Sequence, residues 1–570
     1  MMTARSMTSL LVTTLGITLS ACGSGSAPQG ATGSTGSDGA SGSSGVGGAG
    51  GAGSTASAAA STGSGGSGGS TPTPVCMAPI QAADTSAVTT KVGSGKGTCT
   101  EQAFGDAVKK GGVITFDCGG AATIAITSQK ELPKDKDTVI DGGGVITLDG
   151  GGTTRILHFD GGDFRKTKTM VTLQHLAFKN AKSSGKALPD APAPCSQGTD
   201  TDGGGAAILI RDGVLHVVDV SFEDGKGPAL GPDVAGGGVY AIGSLDVTIV
   251  GSHFKNNTAA NGGAVGSLFS NLTLVDDAFD QNQATGSGAN YIDAACKVNG
   301  GESGDGGNGG AVVIDGGEDF GVTICGCSFS GNKAGALGGA VFRTPDGPRA
   351  ATNIDRSTFE GNQAQGGGAM YFHHSDLTIT ATTAAGNSAE SAGAIQADDT
   401  VLVLLNTTFT ANSATKGLGG AIALYGNGGK IQSSTFSENH ADGGSGFFGA
   451  ALAGGATFEI DNSIFANNSS KDCGAPMTCH VGADTGTAVI QWPQKHLVCN
   501  GDDPPCAGAA GTTFADPMLA ALADNGGPTK TLLPPNGSPA VGAGKACPAT
   551  DQRGMPRKSD GCTAGAVEVE

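Results

Sequence analysis

Residues 254–265 read Phe-Lys-Asn-Asn-Thr-Ala-Ala-Asn-Gly-Gly-Ala-Val, and this phrase recurs along the chain. Its elements are a phenylalanine, an asparagine three residues later, an alanine two beyond that, and a Gly-Gly-Ala-aliphatic strand start. A period in the mid-twenties predicts a solenoid, with the double-length interval filled by an insertion. Later copies start 25, 50, 30, 25, 25, 27 and 29 residues apart, at Phe279, Phe329, Phe359, Ala384, Phe409, Phe436 and Phe465.

The residues before each anchor alternate between apolar and polar types, which is typical of a strand with one buried face. β-branched side chains and regular glycines favour coils of β-structure that stack on neighbours of the same shape. We therefore predict an all-β fold with an aliphatic interior stack five residues before each anchor: Leu173, Val217, Ile249, Leu274, Ile324, Ile354, Ile379, Leu404, Ile431 and Ile460.

The asparagine of the repeat forms a column of its own. Asparagine tolerates left-handed backbone angles, and its amide both donates and accepts hydrogen bonds. Stacked copies can bond each other and the turn carbonyls, so we predict a structural ladder in preference to a glycan site. Its members are Asn257, Asn282, Asn332, Asn362, Asn387, Asn412, Asn439 and Asn468.

These signatures resemble the repeats of the polymorphic outer membrane protein family, whose passenger regions are right-handed parallel β-helices of the pectin-lyase-like class. The tail resembles the choice-of-anchor C-terminal region of bacterial surface β-helix proteins. The two resemblances cover roughly residues 170–570 and imply an envelope or extracellular location, often with adhesion, and no defined enzyme. The tail motifs are Asp524–Thr529, Gly537–Ala540, Asp551–Gly554, Pro556–Arg557 and Gly565–Glu568.

The N-terminus predicts export. A short apolar stretch follows Arg5 and ends in Leu19-Ser20-Ala21-Cys22, too short for a spanning helix and typical of a signal peptide over residues 1–21. The segment resembles the bacterial lipoprotein box, which implies a lipid anchor on Cys22. Because Gly23 replaces the aspartate of the inner-membrane retention signal, the resemblance favours an outer-membrane lipoprotein.

Residues 22–74 are almost entirely Gly, Ser, Ala and Thr, and such a composition predicts a flexible tether with a mean span of about 40 Å. We assign residues 75–470 to a right-handed parallel β-helix of about a dozen coils. It begins with a short capping helix after Thr100, whose Phe104, Ala107 and Val108 share one face. Residues 471–570 are predicted to form an irregular, disulfide-stapled end or cap.

Charge and cysteine content agree with an extracellular protein. The net charge of −19 argues against nucleic acid as a partner. Fourteen cysteines fit an oxidising compartment. Cys76, Cys99 and Cys118 compete for partners near the N-terminus, and Cys325 with Cys327 would make a strained pair. Candidate C-terminal pairs are Cys473 with Cys479, Cys499 with Cys506, and Cys547 with Cys562.

The outward positions beside the aliphatic stack are mostly Thr and Val, and acids occur there only at Asp355, with Asn353, and at Glu459 and Asp461. The Asp276-Asp277 and Asp398-Asp399 pairs lack the further motifs of polygalacturonase-like enzymes. We therefore predict no catalytic residue. A polysaccharide lyase or hydrolase of the pectin-lyase-like class and a purely structural envelope spacer stay as alternatives.

Two places favour binding to an extracellular glycan or surface protein. In three successive coils, outward residues after Gly-Gly-Ala form a candidate stripe with aromatics beside hydrogen-bonding groups. Three long insertions at one turn form a candidate loop cluster, in which Gly-Asp-Gly-Gly near Asp305 hints weakly at calcium, and no other cofactor is predicted. The stripe comprises Tyr371, His373, Gln396, Asp398 and Tyr425, and the loop cluster comprises Asp200, Asp202, Tyr291, Asp293, Glu302 and Asp305.

Overall fold

The chain is an all-β parallel solenoid of about 11 turns, as predicted. Its computed structural model describes residues 75–184, 203–231, 234–288, 306–316, 320–345, 349–444, 451–454, 457–472, 479–481, 489–492 and 512–570. The predicted signal peptide, Cys22 and the tether lie outside the described residues.

The first coil is preceded by the predicted helix, Glu101–Lys110. The Thr100 hydroxyl accepts the Ala103 N–H at 3.2 Å, and Phe104 and Val108 are buried. The helix lies beside the strands Thr90–Val92 and Lys130–Glu131. Within the described ranges no helix is long and apolar enough to cross a membrane.

The described strands form one major sheet, one second sheet and small corner sheets. The major sheet has 25 strands: Thr90–Val92, Gly112–Phe116, Ala122–Ala125, Thr138–Asp149, Met170–Lys179, Val214–Glu223, Asp246–Val250, His253–Lys255, Leu272–Val275, Ala278–Asp280, Val322–Cys325, Ser328–Ser330, Ala350–Asp355, Thr358–Glu360, Ser375–Thr380, Thr383–Ala385, Val401–Leu405, Thr408–Thr410, Gly429–Gln432, Thr435–Ser437, Phe458–Asp461, Ile464–Ala466, Cys479–Val481, Val489–Trp492 and Thr512–Phe514.

The second sheet has 11 strands: Lys130–Glu131, Leu157–Asp160, Ile208–Arg211, Val239–Ile242, Val265–Leu268, Val312–Asp315, Val341–Thr344, Met370–His373, Ile395–Asp398, Ile422–Tyr425 and Leu452–Ala453. The corner sheets are Thr258–Ala259, Gln283–Ala284 and Lys333–Ala334, then Ser388–Ala389, Ser413–Ala414, His440–Gly444 and Ser469–Asp472. One antiparallel pair, Gly544–Lys545 with Asp560–Cys562, lies in the C-terminal region.

Equivalent residues of successive coils stand in parallel register, so each repeat column becomes a stack. Leu274 pairs with Ile324 and Ile324 with Ile354, all inside the core. The phenylalanines stack face to face, with ring centroids 4.7 Å apart from Phe279 to Phe329 and again from Phe329 to Phe359. Offset ring pairs of this kind add to the stabilisation from apolar burial.

The asparagine column is the predicted ladder. In each link of the ladder, one side-chain oxygen accepts both the backbone N–H and the side-chain amide of the preceding asparagine. Asn362 donates both groups to Asn387 Oδ1 at 2.9 Å, and its Nδ2 also donates to the Phe329 carbonyl at 3.0 Å. Links of the same pattern run from Asn257 to Asn468, and the asparagines are buried.

A second ladder stands two residues before each anchor, and the sequence analysis missed it. The Ser357 hydroxyl accepts the Cys327 N–H at 3.2 Å and donates to the Asp355 carbonyl at 2.8 Å. Asp277 occupies one place in this column, and its burial raises the pKa of its carboxyl well above the usual range. The column was visible in the sequence as Ser252, Asp277, Cys327, Ser357, Thr382, Thr407, Ser434 and Ser463.

A third column lies at the bend between the two halves of the major sheet, and we call it the turn column. Its residues have left-handed backbone angles, for example φ 55° at Asp276 and 53° at Asn406. Asparagine, aspartate and glycine adopt this region most readily. The column comprises His175, Asp219, Gly251, Asp276, Gly326, Arg356, Ala381, Asn406, Ser433 and Asn462.

The N-terminal segment 75–86, here called the N-strap, lies along this turn column. Asp276 Oδ1 accepts the backbone N–H groups of Val75 and Cys76 at 3.1 and 3.3 Å. Further along, Gln174 exchanges two hydrogen bonds with the backbone of Ala83, at 2.7 and 3.1 Å. Beneath the strap, outward Val250, Val275 and Cys325 are buried, and they form an apolar cluster with Val75, Cys76, Ala78 and Ile80 of the strap itself.

The C-terminal region is irregular and carries a disulfide, as predicted. Its strand Thr512–Phe514 pairs with the last coil, and residues that follow this strand lie along the flank of the solenoid. Residues 515–570, here called the C-strap, dock on the next part of the turn column. The N-strap contacts the column as far as Arg356, and the C-strap contacts it from Ala381 to Asn462. Thr529 donates to the Ala381 carbonyl at 3.1 Å, and Asn462 donates to the Lys545 carbonyl at 2.7 Å.

Several residues of the tail motifs make the contacts of this docking. Gln552 donates to Thr383 Oγ1 at 2.7 Å and accepts from the Thr408 hydroxyl at 2.6 Å. The buried Arg557 donates to Asn406 Oδ1 at 3.1 Å and to Glu568 Oε2 at 3.3 Å. These residues therefore hold the C-strap to the solenoid.

Three disulfides join described cysteines. Cys547–Cys562 is confirmed as a C-terminal pair. Cys99–Cys118 joins the residue before the helix N-cap to the turn after Gly112–Phe116, and Cys76–Cys325 spans 249 residues. The thiol of Cys327 is buried and free. Cys473, Cys499 and Cys506 lie outside the described residues, and of Cys479 only the backbone is described.

The first prediction tests the ladder. Asn387→Ala should lower the free energy of unfolding by roughly 2–5 kcal/mol, because each buried group left without a partner costs about 1–3 kcal/mol. The measurement is urea denaturation followed by circular dichroism. The neighbouring Gln363→Ala, at an exposed position, is the matched control and should leave the curve unchanged. Equal curves for the two variants would contradict a stabilising ladder.

The second prediction tests the C-strap. Arg557→Met removes the charge-assisted bonds to Asn406, Glu568 and two carbonyls, so limited proteolysis should cleave within residues 515–570 far faster. The solenoid should keep its far-ultraviolet dichroism. Lys558→Met, at an exposed position, should digest like the wild type. Unchanged protection in Arg557→Met would show that the arginine does not hold the strap.

Candidate functional site

The five stripe residues lie on the outer face of the second sheet, on three neighbouring strands. His373 stands in register with Asp398, and Asp398 with Tyr425. Tyr371 pairs with Gln396 in the adjacent outward column. The structure therefore brings the stripe together, because side chains alternate between the two faces of a strand and parallel register aligns them.

Tyr371 corrects part of the stripe prediction. It faces away from the core, yet it is only 3% exposed, and its ring stacks on Phe342 with centroids 5.2 Å apart. It belongs to an apolar cluster outside the core, so its ring is unavailable to a ligand. The sequence signal was a run of apolar residues in the same outward column, which comprises Leu209, Tyr240, Val313, Phe342 and Tyr371.

Asp398 is the centre of the stripe. The Tyr371 hydroxyl donates to its carboxylate, and Gln396 Nε2 donates to Oδ2 at 3.3 Å. Burial nevertheless raises the pKa of Asp398 above its usual value. Burial also lowers the pKa of the neighbouring His373, whose Nδ1 lies 3.5 Å from Thr344 Oγ1. Burial therefore disfavours the charged form of both side chains.

Asp399 follows at a turn, with φ 45°, and has a different environment. Burial raises its pKa, but hydrogen bonds from His374, Arg349 and Asn427 outweigh that effect and hold the pKa below its usual value. His374 Nδ1 lies 2.5 Å from Oδ2, and Arg349 Nη2 lies 2.9 Å from Oδ1. The sequence analysis noted the Asp398-Asp399 pair but missed these partners, since Arg349 is 50 residues away along the chain.

Tyr425 completes the site on the third strand. Its side chain is partly exposed and its hydroxyl hydrogen bonds with Ser391. Burial, followed by the charge of Asp398, raises the pKa of the phenol. We call His373, Asp398 and Tyr425, with the adjoining Arg349, His374, Asp399 and Asn427, the polar cluster. It combines a partly exposed aromatic ring with donors and acceptors, a set suited to a hydroxyl-rich ligand or a polar protein surface.

The residues of the predicted loop cluster are outside the part of the chain that the structure describes. Asp200, Asp202, Tyr291, Asp293, Glu302 and Asp305 all lie outside the described residues. The ends of the three insertions do stack: Gly204 bridges Ala235, Ala235 bridges Asn261, and Asn261 Oδ1 accepts the Asn308 N–H at 3.0 Å. The insertions therefore return to the solenoid at one edge, as equal turn positions predict.

Three of the acidic residues noted along the major sheet, Asp276, Asp277 and Asp355, have structural partners. Asp355 accepts from Arg356 at 2.7 Å and from the Thr380 hydroxyl at 2.6 Å. Asp276 holds the N-strap, and Asp277 belongs to the second ladder, where its Oδ1 accepts the Ser252 N–H. In the part of the chain that the structure covers, no group of three His, Cys, Asp or Glu side chains is placed to hold a metal ion. Calcium at Asp305 stays a prediction.

Comparison with known proteins does not assign the chain to a family. No protein-family model matches the chain, and no curated protein matches it. One similar solved structure is that of PfbA, a surface adhesin of Streptococcus pneumoniae. It shares 10% sequence identity at a TM-score of 0.33, over 68% of this chain and 93% of that chain. The solenoid assignment rests on the strand register above and not on this likeness.

The third prediction concerns the two neighbouring carboxyls. The pKa of Asp398 should lie above 3.8 and that of Asp399 below it, which carboxyl-carbon NMR titration measures directly. When the pKa of a group is higher in the folded state than in the unfolded state, the group stabilises the fold at pH values below its unfolded-state pKa. This stabilisation is lost as the pH rises through its folded-state pKa. Asp398→Asn should therefore gain stability over the wild type as the pH rises towards neutrality.

The matched variant should behave in the opposite way. When the pKa of a group is lower in the folded state, the group stabilises the fold at pH values above its unfolded-state pKa. This stabilisation is lost as the pH falls through its folded-state pKa. Asp399→Asn should thus be less stable than the wild type at neutral pH, with the difference disappearing in acid. Equal midpoints for the two carboxyls would refute the environments described here.

Proposed function

We propose that this chain is a bacterial surface display protein that binds an extracellular glycan or surface protein through the polar cluster. The observation that carries the proposal is the register of His373, Asp398 and Tyr425 on three adjacent strands. A rigid parallel sheet holds these groups about 4.8 Å apart from strand to strand, so a ligand meets a preformed array.

The character of the cluster supports a neutral polar ligand. The Asp399 charge is already matched by Arg349 and His374, and the Asp398 carboxyl already accepts hydrogen bonds from Tyr371 and Gln396. Tyr425 provides an aromatic surface beside these hydrogen-bonding groups. Sugar rings and polar protein loops both present apolar faces and hydroxyl or amide edges, which this combination fits.

The location we propose is the outer membrane. A signal peptide over residues 1–21, a lipid on Cys22 and a tether over residues 22–74 would attach the solenoid to the membrane through the chain that precedes Val75. The lipoprotein-box resemblance and the Gly/Ser composition support this arrangement. The resemblance to polymorphic outer membrane proteins and to choice-of-anchor tails supports adhesion as the role.

A polysaccharide-cleaving enzyme is the second candidate, and one observation favours it. Asp398 and Asp399 are adjacent carboxyls whose pKa values move in opposite directions, as an acid and base pair requires. Against it, three donors already occupy Asp399. We therefore place binding first. The structural spacer, the third candidate, needs no ligand at all.

The fourth prediction tests binding. On a glycan array and on intact bacterial or host surfaces, His373→Ala and Tyr425→Ala should each weaken attachment by roughly 1–3 kcal/mol. Tyr371→Ala should instead destabilise the protein, because its ring is buried against Phe342. Lys430→Ala, at an exposed position on the major sheet, is the control and should bind like the wild type.

The alternatives have their own outcomes. Release of reducing or unsaturated sugars from acidic polysaccharides, abolished in a folded Asp398→Asn variant, would establish the enzyme and overturn the binding proposal. Attachment unaffected by both His373→Ala and Tyr425→Ala would move the contact away from the polar cluster. Absence of any ligand on arrays and surfaces would favour the spacer.

A further inference from the structure

The N-strap joins the solenoid far from its N-terminal end. The described chain enters at Val75, whose carbonyl accepts from Arg356 Nη1 at 3.0 Å and whose side chain lies against Gly326. It then runs backwards to Ala83 beside Gln174 and enters the first strand at Thr90. Residues 75–86 thus run towards the capping helix along the turn column, which is formed by residues that come later in the sequence.

The entry point is close to the middle of the stack. In the major sheet, fourteen strands follow one another as direct partners from Thr90–Val92 to Cys479–Val481. The strand Val322–Cys325 is the eighth of them. Cys325 carries the disulfide to Cys76, the second described residue of the chain. A covalent bond therefore fixes the start of the described chain to the centre of the solenoid's long side.

Non-covalent contacts support the same position. Asp276 binds two backbone N–H groups of the strap, and Arg356 binds its first carbonyl. Val250 and Val275 are outward residues that would be exposed on a bare solenoid, and both are buried beneath the strap. The C-strap begins at the next turn residues, with Lys530 Nζ 3.4 Å from Glu360 Oε2. The two straps occupy successive stretches of one flank.

We propose that the Cys76–Cys325 disulfide is a load-bypass device. Force applied through any residue before Cys76 passes across the disulfide into the central coil, and residues 77–324 stay unloaded. Without the bond, the same force peels the N-strap and then unravels the coils one by one from the capping helix, since each coil contacts only its neighbours. With it, the solenoid is held side-on at its middle.

The physiological role of this disulfide rests on the proposed surface anchor, because only an anchored protein is pulled through its N-terminal segment. An adhesive protein on a tether carries tension whenever its ligand moves. The polar cluster lies on coils beyond Cys325, so tension between the tether and the cluster crosses only a few coils. The physical behaviour itself depends only on the strap and the disulfide, and it can be measured without ligand or membrane.

The fifth prediction is a single-molecule pulling experiment on the full chain, with handles at Ser70 and Glu570. The oxidised wild type should extend about 80 nm less on complete unfolding than the Cys76→Ser/Cys325→Ser variant. This figure takes the 249 residues between the cysteines, less the 19 closed by Cys99–Cys118, at roughly 3.5 Å each. The extra length should appear as a series of coil-sized steps after the strap detaches.

The matched control is Cys547→Ser/Cys562→Ser, which opens only 15 residues and should add about 5 nm. If the Cys76→Ser/Cys325→Ser variant misfolds, the wild type can be pulled before and after treatment with reductant. The gain should then be about 90 nm, because the 19 residues closed by Cys99–Cys118 and the 15 closed by Cys547–Cys562 are released as well. Equal extension in the presence and absence of the Cys76–Cys325 bond would overturn the proposal. Failure of ligand binding would leave this result untouched, so the two proposals fail separately.

Discussion

The structure depends on one constraint, which is that the polar groups buried where each coil bends need hydrogen-bond partners on the neighbouring coils. A backbone that bends inside the core exposes N–H and carbonyl groups to an apolar interior, where each unmet group costs about 1–3 kcal/mol. The ladder asparagines satisfy this requirement. Asn332 accepts two hydrogen bonds from Asn282 and donates to Asn362 and to the Phe279 carbonyl, so one side chain serves three coils.

That constraint explains why the sequence repeats so visibly and why its columns could be predicted. A ladder works only if the asparagine, the phenylalanine and the aliphatic residue fall at the same place in every coil, and parallel register then stacks each column. Ala384 shows the tolerance of the arrangement. It interrupts the phenylalanine stack, yet Asn387 three residues later keeps both of its bonds to Asn412 and the bond to the Phe359 carbonyl.

The straps could not be predicted in the same way, because their contacts lie outside the repeat. Arg356 and Val75 are 281 residues apart, and Gln552 and Thr383 are 169 apart, so local periodicity holds no information about them. A signal was nonetheless present in outward Val250 and Val275, apolar residues on a face that would otherwise meet water. The same reasoning applies to Tyr371. Strand alternation correctly predicts that its side chain points away from the core, but it does not predict that neighbouring side chains such as Phe342 bury the ring.

The candidate site shows how a regular scaffold produces irregular chemistry. Strand alternation placed His373, Asp398 and Tyr425 in one outward column, and this part followed from the sequence. Their properties come from residues that the repeat does not specify: Arg349 and His374 determine the charge around Asp399, and buried Tyr371 supplies a donor to Asp398. Both neighbouring carboxyls already accept hydrogen bonds from side chains around them, so neither faces a ligand as an unpartnered charge. A ligand that fits this cluster must therefore match hydrogen bonds more than it matches net charge, and this requirement favours a sugar or a polar protein surface over an ionic partner.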